Sequence, residues 1–312
     1  MLLNAFLYLA ASLIWGSTWL GIKLQLAQVP PVLSVAYRFF LAAAILFAYC
    51  LARRKRLAFS WKDHRFMAAQ GFTLFGLSYC MSYLATGYLT SGLVAVVFST
   101  IQMWNIFNLR LFLGQAVAWR AFWGGALGLT GIGIVFWRDL LGLSTGPGLL
   151  GLATALAGAY LASLGNVVGS RNAKAGIPVT QANAYGMGYG ALLTAVLYFG
   201  SGGHFAMDWS FGYLGPMLYL TVFGSILAFG CYMLLIGRVG AEYAAYVTLM
   251  MPVIALVLST LFEGYRWSLP AAVGVCIVLA GNLIILSPRT TIERSLRRLA
   301  GRPAATAGEG GV

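Results

Sequence analysis

Apolar residues run through this chain in long blocks, separated by short polar or turn-forming breaks. Residues 2–22 hold no charged side chain, and neither do residues 66–109. A charge-free apolar run of about 18 residues or more reads as a membrane helix, and the second run is long enough for two. The pattern predicts ten spans, near 3–26, 31–51, 66–85, 91–109, 119–137, 148–169, 178–199, 213–236, 243–262 and 269–287. Turn chemistry marks several connections: Val29-Pro30-Pro31, Ser144-Thr145-Gly146-Pro147, Gly176-Ile177-Pro178 and Gly200-Ser201-Gly202-Gly203. The first span has no basic leader and is too long for a cleaved signal.

A faint repeat runs through these blocks. Gly114, Gly124 and Gly131 return 150 positions later as Gly264, Gly274 and Gly281. Phe75-Gly76 returns as Phe223-Gly224, and Pro31 as Pro178, at offsets of 148 and 147. Each copy holds five spans. Five is odd, so the second copy enters the bilayer from the opposite face, an architecture of secondary transporters. The expected fold is all-α: a polytopic membrane protein of ten transmembrane helices, built as two inverted five-helix repeats. The repeats are read at residues 1–140 and 146–288. A basic, then Gly/Ala-rich tail at 289–312 is expected to be disordered. With 39 glycines in the chain, glycine coincidences alone are weak evidence.

Charge placement strengthens the repeat. The chain is 60% hydrophobic and 9% charged, with net charge +13; a soluble domain carries roughly 25% charged residues. If the N-terminus is cytoplasmic, the inside loops hold Arg53, Arg54, Lys55, Arg56, Lys62, Arg65, Arg110, Arg120, Arg171, Lys174 and Arg238, and the tail adds Arg289, Arg294, Arg297, Arg298 and Arg302. Only Lys23, Arg138 and Arg266 fall outside, with Arg38 within a span. This asymmetry is the positive-inside signal. It accounts for the basic balance without nucleic acid and supports an even number of spans with both termini inside.

Catalytic chemistry finds no motif. The chain lacks HExxH, a Walker-type loop and an Asp-rich magnesium pair. All seven carboxylates read as loop or helix-end positions. Cys50, Cys80, Cys231 and Cys276 lie in spans without ligand spacing, and His64 and His204 sit in loops on opposite sides. No metal, cofactor or catalytic residue is expected.

Short motifs along the spans carry a family resemblance. They are Trp15-Gly16-Ser17, Arg38-Phe39, Tyr88-Leu89-Thr90-Ser91-Gly92, the Met251-Pro252 break, and the Gly-rich fifth and tenth spans. In this order the chain resembles the drug/metabolite transporter superfamily, specifically EamA-like ten-helix permeases, over residues 5–287. The resemblance implies two five-helix halves, an inner-membrane location and small-metabolite export by alternating access. Two positions depart from the pattern. Gln102 stands where many members have a first-half proline, and Leu113-Gly114-Gln115 replaces a common Leu-Gly-Glu.

Polar groups at membrane depth are the site candidates, because burying a charge there costs about 2.5–3.5 kcal/mol on insertion scales. Arg38 reads either as a cavity cation for a substrate carboxylate or as an arginine snorkelling outward or holding backbone carbonyls. Lys23 reads as snorkelling. Gln102 and Asn105 share a helical face, with Asn108 nearby; Asn166, Gln181 and Asn183 are the second-half amides. Each could bind substrate or tie helices together. Asn282 reads as structural. Trp15, Trp19, Tyr79, Tyr83, Trp104, Tyr160 and Tyr246 lie inside spans, either packing or walling a cavity suited to aromatic or cationic solutes. The expected substrate path comprises Trp15, Ser17, Trp19, Arg38, Tyr83, Gln102, Asn105, Tyr160, Asn183 and Tyr246, with Pro252 as hinge. The glycines of spans five and ten mark a scaffold away from it.

The favoured function is a permease exporting a small polar or amphipathic metabolite such as an amino acid, with a proton or counter-substrate as coupling candidate and a homodimer as a possible state. Efflux of toxic aromatic or cationic compounds is the alternative within transport. A membrane accessory or lipid-modifying protein is the alternative from another class.

Overall fold

The computed structural model describes residues 2–26, 29–114, 119–137, 141, 147–239, 244 and 246–286. Gln115, Gly146, Arg138 and the tail fall outside the described residues. Those described form ten helical runs and no strand. The first half contains α1 (Leu2–Gln25), α2 (Pro31–Ala52), α3 (61–88), α4 (Ser91–Leu113) and α5 (Trp119–Val135). The second contains α6 (Gly148–Lys174), α7 (Val179–Gly200), α8 (211–239), α9 (Tyr246–Phe262) and α10 (Leu269–Leu286). Six runs are both long and apolar enough to cross a membrane, and Phe122–Val135 and Tyr246–Phe262 are shorter apolar helices.

Three helices are interrupted. α3 consists of Trp61–Gln70, a π-helical turn at Gly71–Leu77, and Ser78–Tyr88. α8 repeats this plan with Phe211–Tyr219, a π-helical turn at Leu220–Leu227, and Ala228–Val239. The Ser78 N–H bonds Thr73 O and the Ala228 N–H bonds Phe223 O, one residue further back than in an α-helix. The repeated Phe75-Gly76 and Phe223-Gly224 lie inside these turns, so the sequence repeat marks a repeated backbone irregularity. α4 is broken between Ser91–Phe98 and Ile101–Leu113. Proline is not the cause. Ser99 Oγ donates to Val96 O (2.6 Å) and Thr100 Oγ1 to Val97 O (2.7 Å), competing with the helix ladder. Asn282 of α10 donates to Ser99 Oγ at 2.8 Å and holds the break in place.

α3 starts earlier than its apolar pattern because Ser60 caps it, its hydroxyl accepting the Asp63 N–H at 3.2 Å. The Ser60 hydroxyl, and then the Arg171 guanidinium at 3.4 Å, hold the Asp63 carboxyl below its usual range. A depressed carboxylate contributes above its ordinary range, and the contribution is lost as pH falls through the depressed value.

The two halves are related through their own matching helices. Gly124 meets Gly281 O, and Gly131 meets Gly274 O. As numbering rises along α5 it falls along α10, so these helices run antiparallel. The contacts are also reciprocal under the repeat offset, since Gly124 matches Gly274 and Gly131 matches Gly281. An exchange that swaps two transmembrane helices and reverses their direction is a two-fold axis perpendicular to them, lying in the membrane plane. α2 packs on α7 as a second self-matched pair. α2 also packs on the π turn of α8, and α7 on the π turn of α3.

Glycine in the π turns is not equally constrained. A Cβ at Gly224 would lie 2.8 Å from Thr18 Cγ2, whereas one at Gly76 would lie 3.4 Å from its nearest neighbour, Leu193 Cδ2. Gly76→Ala is therefore expected to retain wild-type thermal stability, and Gly224→Ala to lower it by about 1–3 kcal/mol. Thermal unfolding of both variants in one detergent checks the contrast; equal effects would contradict it.

Candidate functional site

A cavity of about 310 Å³ opens between the halves. α1, α3 and α4 line it from the first half, and α6, α8 and α9 from the second. Its aromatic wall is Trp15, Trp19, Tyr79, Phe98, Phe229 and Tyr232. Its polar groups are amides and hydroxyls, and no charged side chain lines it among the described residues. The two halves meet across it: Gln102 Nε2 donates to Thr248 Oγ1 (2.8 Å), and Asn166 Nδ2 to Asn105 Oδ1 (3.2 Å). Pro252 lies one turn beyond Thr248 and supplies no N–H to the turn before it. Gln102, its counterpart at the 150-residue offset, lines the same cavity just after the α4 break. A second chamber of similar size adjoins through the shared residues Leu74, Asn166 and Phe229, and adds Gln70, Ser170 and Asn183.

The two ends of the cavity differ. On the side bearing the N-terminus, Asn166 is exposed and Asn105 half-buried although both lie deep within spans. On the far side the halves are locked together. Glu263, just past α9, accepts Ser91 N–H at 3.0 and 3.2 Å and also the Ser91 hydroxyl. Within the first half, beside that joint, Lys23 Nζ donates to Thr86 O (2.8 Å), Tyr83 donates to Gln25 Oε1 (2.7 Å), and the Trp19 ring packs at a tilt against Phe98 with centroids 4.9 Å apart. Tyr83, Thr86, Ser91 and Gln25 are all buried. Lys23 thus binds carbonyls of a neighbouring helix.

The expected path residues separate into three groups. Trp15, Trp19, Gln102, Asn105 and Pro252 line the cavity, and Asn183 lines the second chamber. Ser17, Arg38, Tyr83, Tyr160 and Tyr246 lie elsewhere. Ser17 shares a 2.6 Å hydrogen bond with Tyr219 of α8. Tyr83 lies at the far end, bonded to Gln25. Tyr160 is partly exposed beside Trp104, and the Tyr246 carbonyl accepts the Tyr8 hydroxyl. Arg38 is only 1% exposed, and its Nε donates to Ser225 Oγ in the π turn of α8 (3.1 Å). Of the amides read as possible glue, Asn108 donates to Ser163 (3.0 Å), tying α4 to α6.

Thr18, Ser82, Ser99, Thr248, Phe229 and Tyr232 also line the cavity. Thr248 was detectable as the residue four before Pro252. The others carry no signal of their own, since a lone hydroxyl or ring in an apolar helix marks no face.

Known proteins place this arrangement. The model of the EamA-like transporter family matches residues 2–137 and again 149–287, once per half. The uncharacterized inner membrane transporter YedA of Escherichia coli (strain K12) is 30% identical over 254 residues, 80% of each chain. Protein PagO of Salmonella typhimurium is 25% identical over 293 residues, covering 90% of this chain and 94% of its own. The uncharacterized transporter YvbV of Bacillus subtilis (strain 168) is 25% identical, covering 91% of this chain and 90% of its own. A crystal structure at 20% identity matches the fold with a TM-score of 0.65, over 94% of this chain and 98% of that one. The chain belongs to the EamA-like transporter family and is a membrane transporter rather than an enzyme.

Proposed function

We propose that this transporter is a secondary permease of the inner membrane that exports a small amphipathic metabolite such as an amino acid by alternating access. The observation behind this reading is a cavity shared by two inverted halves, locked at one end and exposed at the other. Inverted repeats exchange conformations to move the opening from one face to the other. The inner-membrane assignment follows the relative YedA, and the orientation follows the cation asymmetry of the loops. On that orientation the exposed end faces the cytoplasm, where an exported solute enters.

The path in this reading is Trp15, Trp19, Gln102 and Asn105, joined by Asn166 and Thr248. Paired amides and hydroxyls suit a zwitterion or neutral polar group, and the rings suit an apolar side chain. The uncharged, ring-walled cavity also favours the second reading, efflux of aromatic or cationic compounds, through cation–π contact. Uptake of a labelled metabolite panel into proteoliposomes separates the two: amino acids accumulating favour the first, and organic cations alone the second. Gln102→Ala is expected to lower transport of the accepted solute about tenfold, the loss typical of a buried hydrogen-bonding group; unchanged transport at normal expression would remove Gln102 from the path.

Orientation has its own test. Cysteines introduced beside Lys55 should resist a membrane-impermeant thiol reagent added outside, and cysteines beside Gly202 should react. Reaction beside Lys55 would reverse the orientation, and with it the reading of export.

A further inference from the structure

Arg38 is the one charged side chain with a buried, unpartnered nitrogen among the described residues. It is almost fully buried, its Nη1 has no hydrogen-bond partner, and no carboxylate pairs with it among the described residues. Its guanidinium lies over the rings of Tyr79 at 4.8 Å and Phe39 at 5.2 Å. Such a cation is costly to hold in a membrane, yet it does not line the cavity. It also neighbours Tyr83, and two of its other contacts lead to the cavity. Tyr79 lines the cavity directly. Ser225 Oγ accepts from Arg38 Nε and donates to Leu220 O (3.1 Å), so the hydroxyl joins the guanidinium to the backbone of the π turn. In that same turn Ala228 N–H goes to Phe223 O, and Gly224 O instead receives the indole N–H of Trp15 at 3.1 Å.

We propose that Arg38 is a positioning residue for the substrate cavity, holding the aromatic wall through two routes: the ring of Tyr79, and the π turn of α8, which fixes Trp15. The proposal rests on the cavity's being the substrate site, but its mechanical content does not depend on which solute is carried. The matching π turn of α3 shows what the arginine adds. The side-chain bonds beside that turn are between neutral amides: Asn172 donates to Gln70 Oε1 at 2.9 Å, and Gln70, the residue before the turn, lies 3.4 Å from Asn183. The repeat is symmetric in backbone and asymmetric in clamp. A π turn can revert to α-helical pairing with a one-residue register change. In α8 that change would carry Gly224 O away from Trp15 and shift Phe229 and Tyr232 in the cavity wall. Arg38 holds α8 in the π register.

Hydrogen–deuterium exchange on the full-length protein in lipid nanodiscs tests this without a substrate. Arg38→Gln should raise exchange in the segment 220–229 about tenfold while leaving 71–78 unchanged, because local opening is read segment by segment. Arg38→Lys should fall between, since a point charge replaces a planar fork that bonds Ser225 while facing two rings. Trp15→Phe removes the donor to Gly224 O and should raise exchange in 220–229 as well, because coupling between cavity and turn is reciprocal. Equal rises in both segments would reduce Arg38 to general packing. No rise at 220–229 in Arg38→Gln would overturn the clamp, and no rise there in Trp15→Phe would overturn its link to the cavity. None of these outcomes depends on the solute panel, so a wrong substrate class leaves the inference standing.

Discussion

Gly281→Val is expected to leave little folded protein in the membrane. A Cβ at position 281 would stand 2.5 Å from Gly124 O and 2.9 Å from Gly128 N, both backbone atoms. Side chains relieve such a clash by changing rotamer, whereas two helix backbones must move apart. The same separation opens the matching contact at Gly131 and Gly274, where a Cβ on either glycine would lie 2.6 Å from the other's carbonyl oxygen. Ordinary overpacking costs about 1–3 kcal/mol; a backbone-on-backbone clash repeated along a seam should reach or exceed the upper end. Against a total stability of roughly 5–15 kcal/mol, that is a large fraction. Gly128→Ala is the control on the same seam. Its added Cβ would meet nothing within 4 Å, so it should behave as wild type. Fluorescence-detected size exclusion after heating reads both, and a Gly281→Val protein as stable as wild type would dismiss the seam as a scaffold.

That seam was legible in the sequence because its chemistry admits few residues. Only glycine lets two helices touch at their backbones, so Gly124, Gly131, Gly274 and Gly281 show directly as a repeat at offset 150. The ten helical runs were legible for a similar reason: lipid demands long apolar blocks, and loops collect the charges. The π turns were half legible. Phe75-Gly76 and Phe223-Gly224 marked where they fall, but nothing in a Phe-Gly pair specifies a shifted hydrogen-bond register. The α4 break was not legible. Its cause, two hydroxyls bonding back to Val96 and Val97, uses residues that elsewhere sit in unbroken helix, as Thr194 does with Gly190 O in α7.

The cavity was less legible than the fold, and the reason is facing direction. In a soluble helix, polarity tells inside from outside. In α1, α2 and α6 polar residues are too few and too scattered to mark one face, so composition does not say whether Arg38 or Trp15 turns inward. Trp15, Trp19, Gln102 and Asn105 reached the cavity; Ser17, Tyr160 and Tyr246 sit on other faces of helices whose sequences treat all faces alike. Arg38 drew attention by its charge, and it turns toward Ser225, Phe39 and Tyr79 of the protein itself rather than into the cavity.

Tying Ser91 to Glu263 should arrest transport. These residues join the start of α4 to the end of α9 across the two halves at the far end of the cavity, beside the first-half contacts Lys23–Thr86 and Tyr83–Gln25. Alternating access requires that end to open once per cycle. With Cys50, Cys80, Cys231 and Cys276 replaced, Ser91→Cys with Glu263→Cys can be bridged by a short bifunctional thiosulfonate. The bridge should cut transport at least about tenfold, as a locked conformational step would, and reductant should restore it. Glu263→Gln alone should act in the opposite sense. It exchanges a charge-assisted contact for a neutral one, roughly half as strong, and so raises the population open on the far side. A thiol placed at Tyr83 in that variant should label faster from outside than in the Glu263 background. Normal transport through the bridged protein would mean that the α4–α9 contact is a fixed joint, and that the path opens elsewhere.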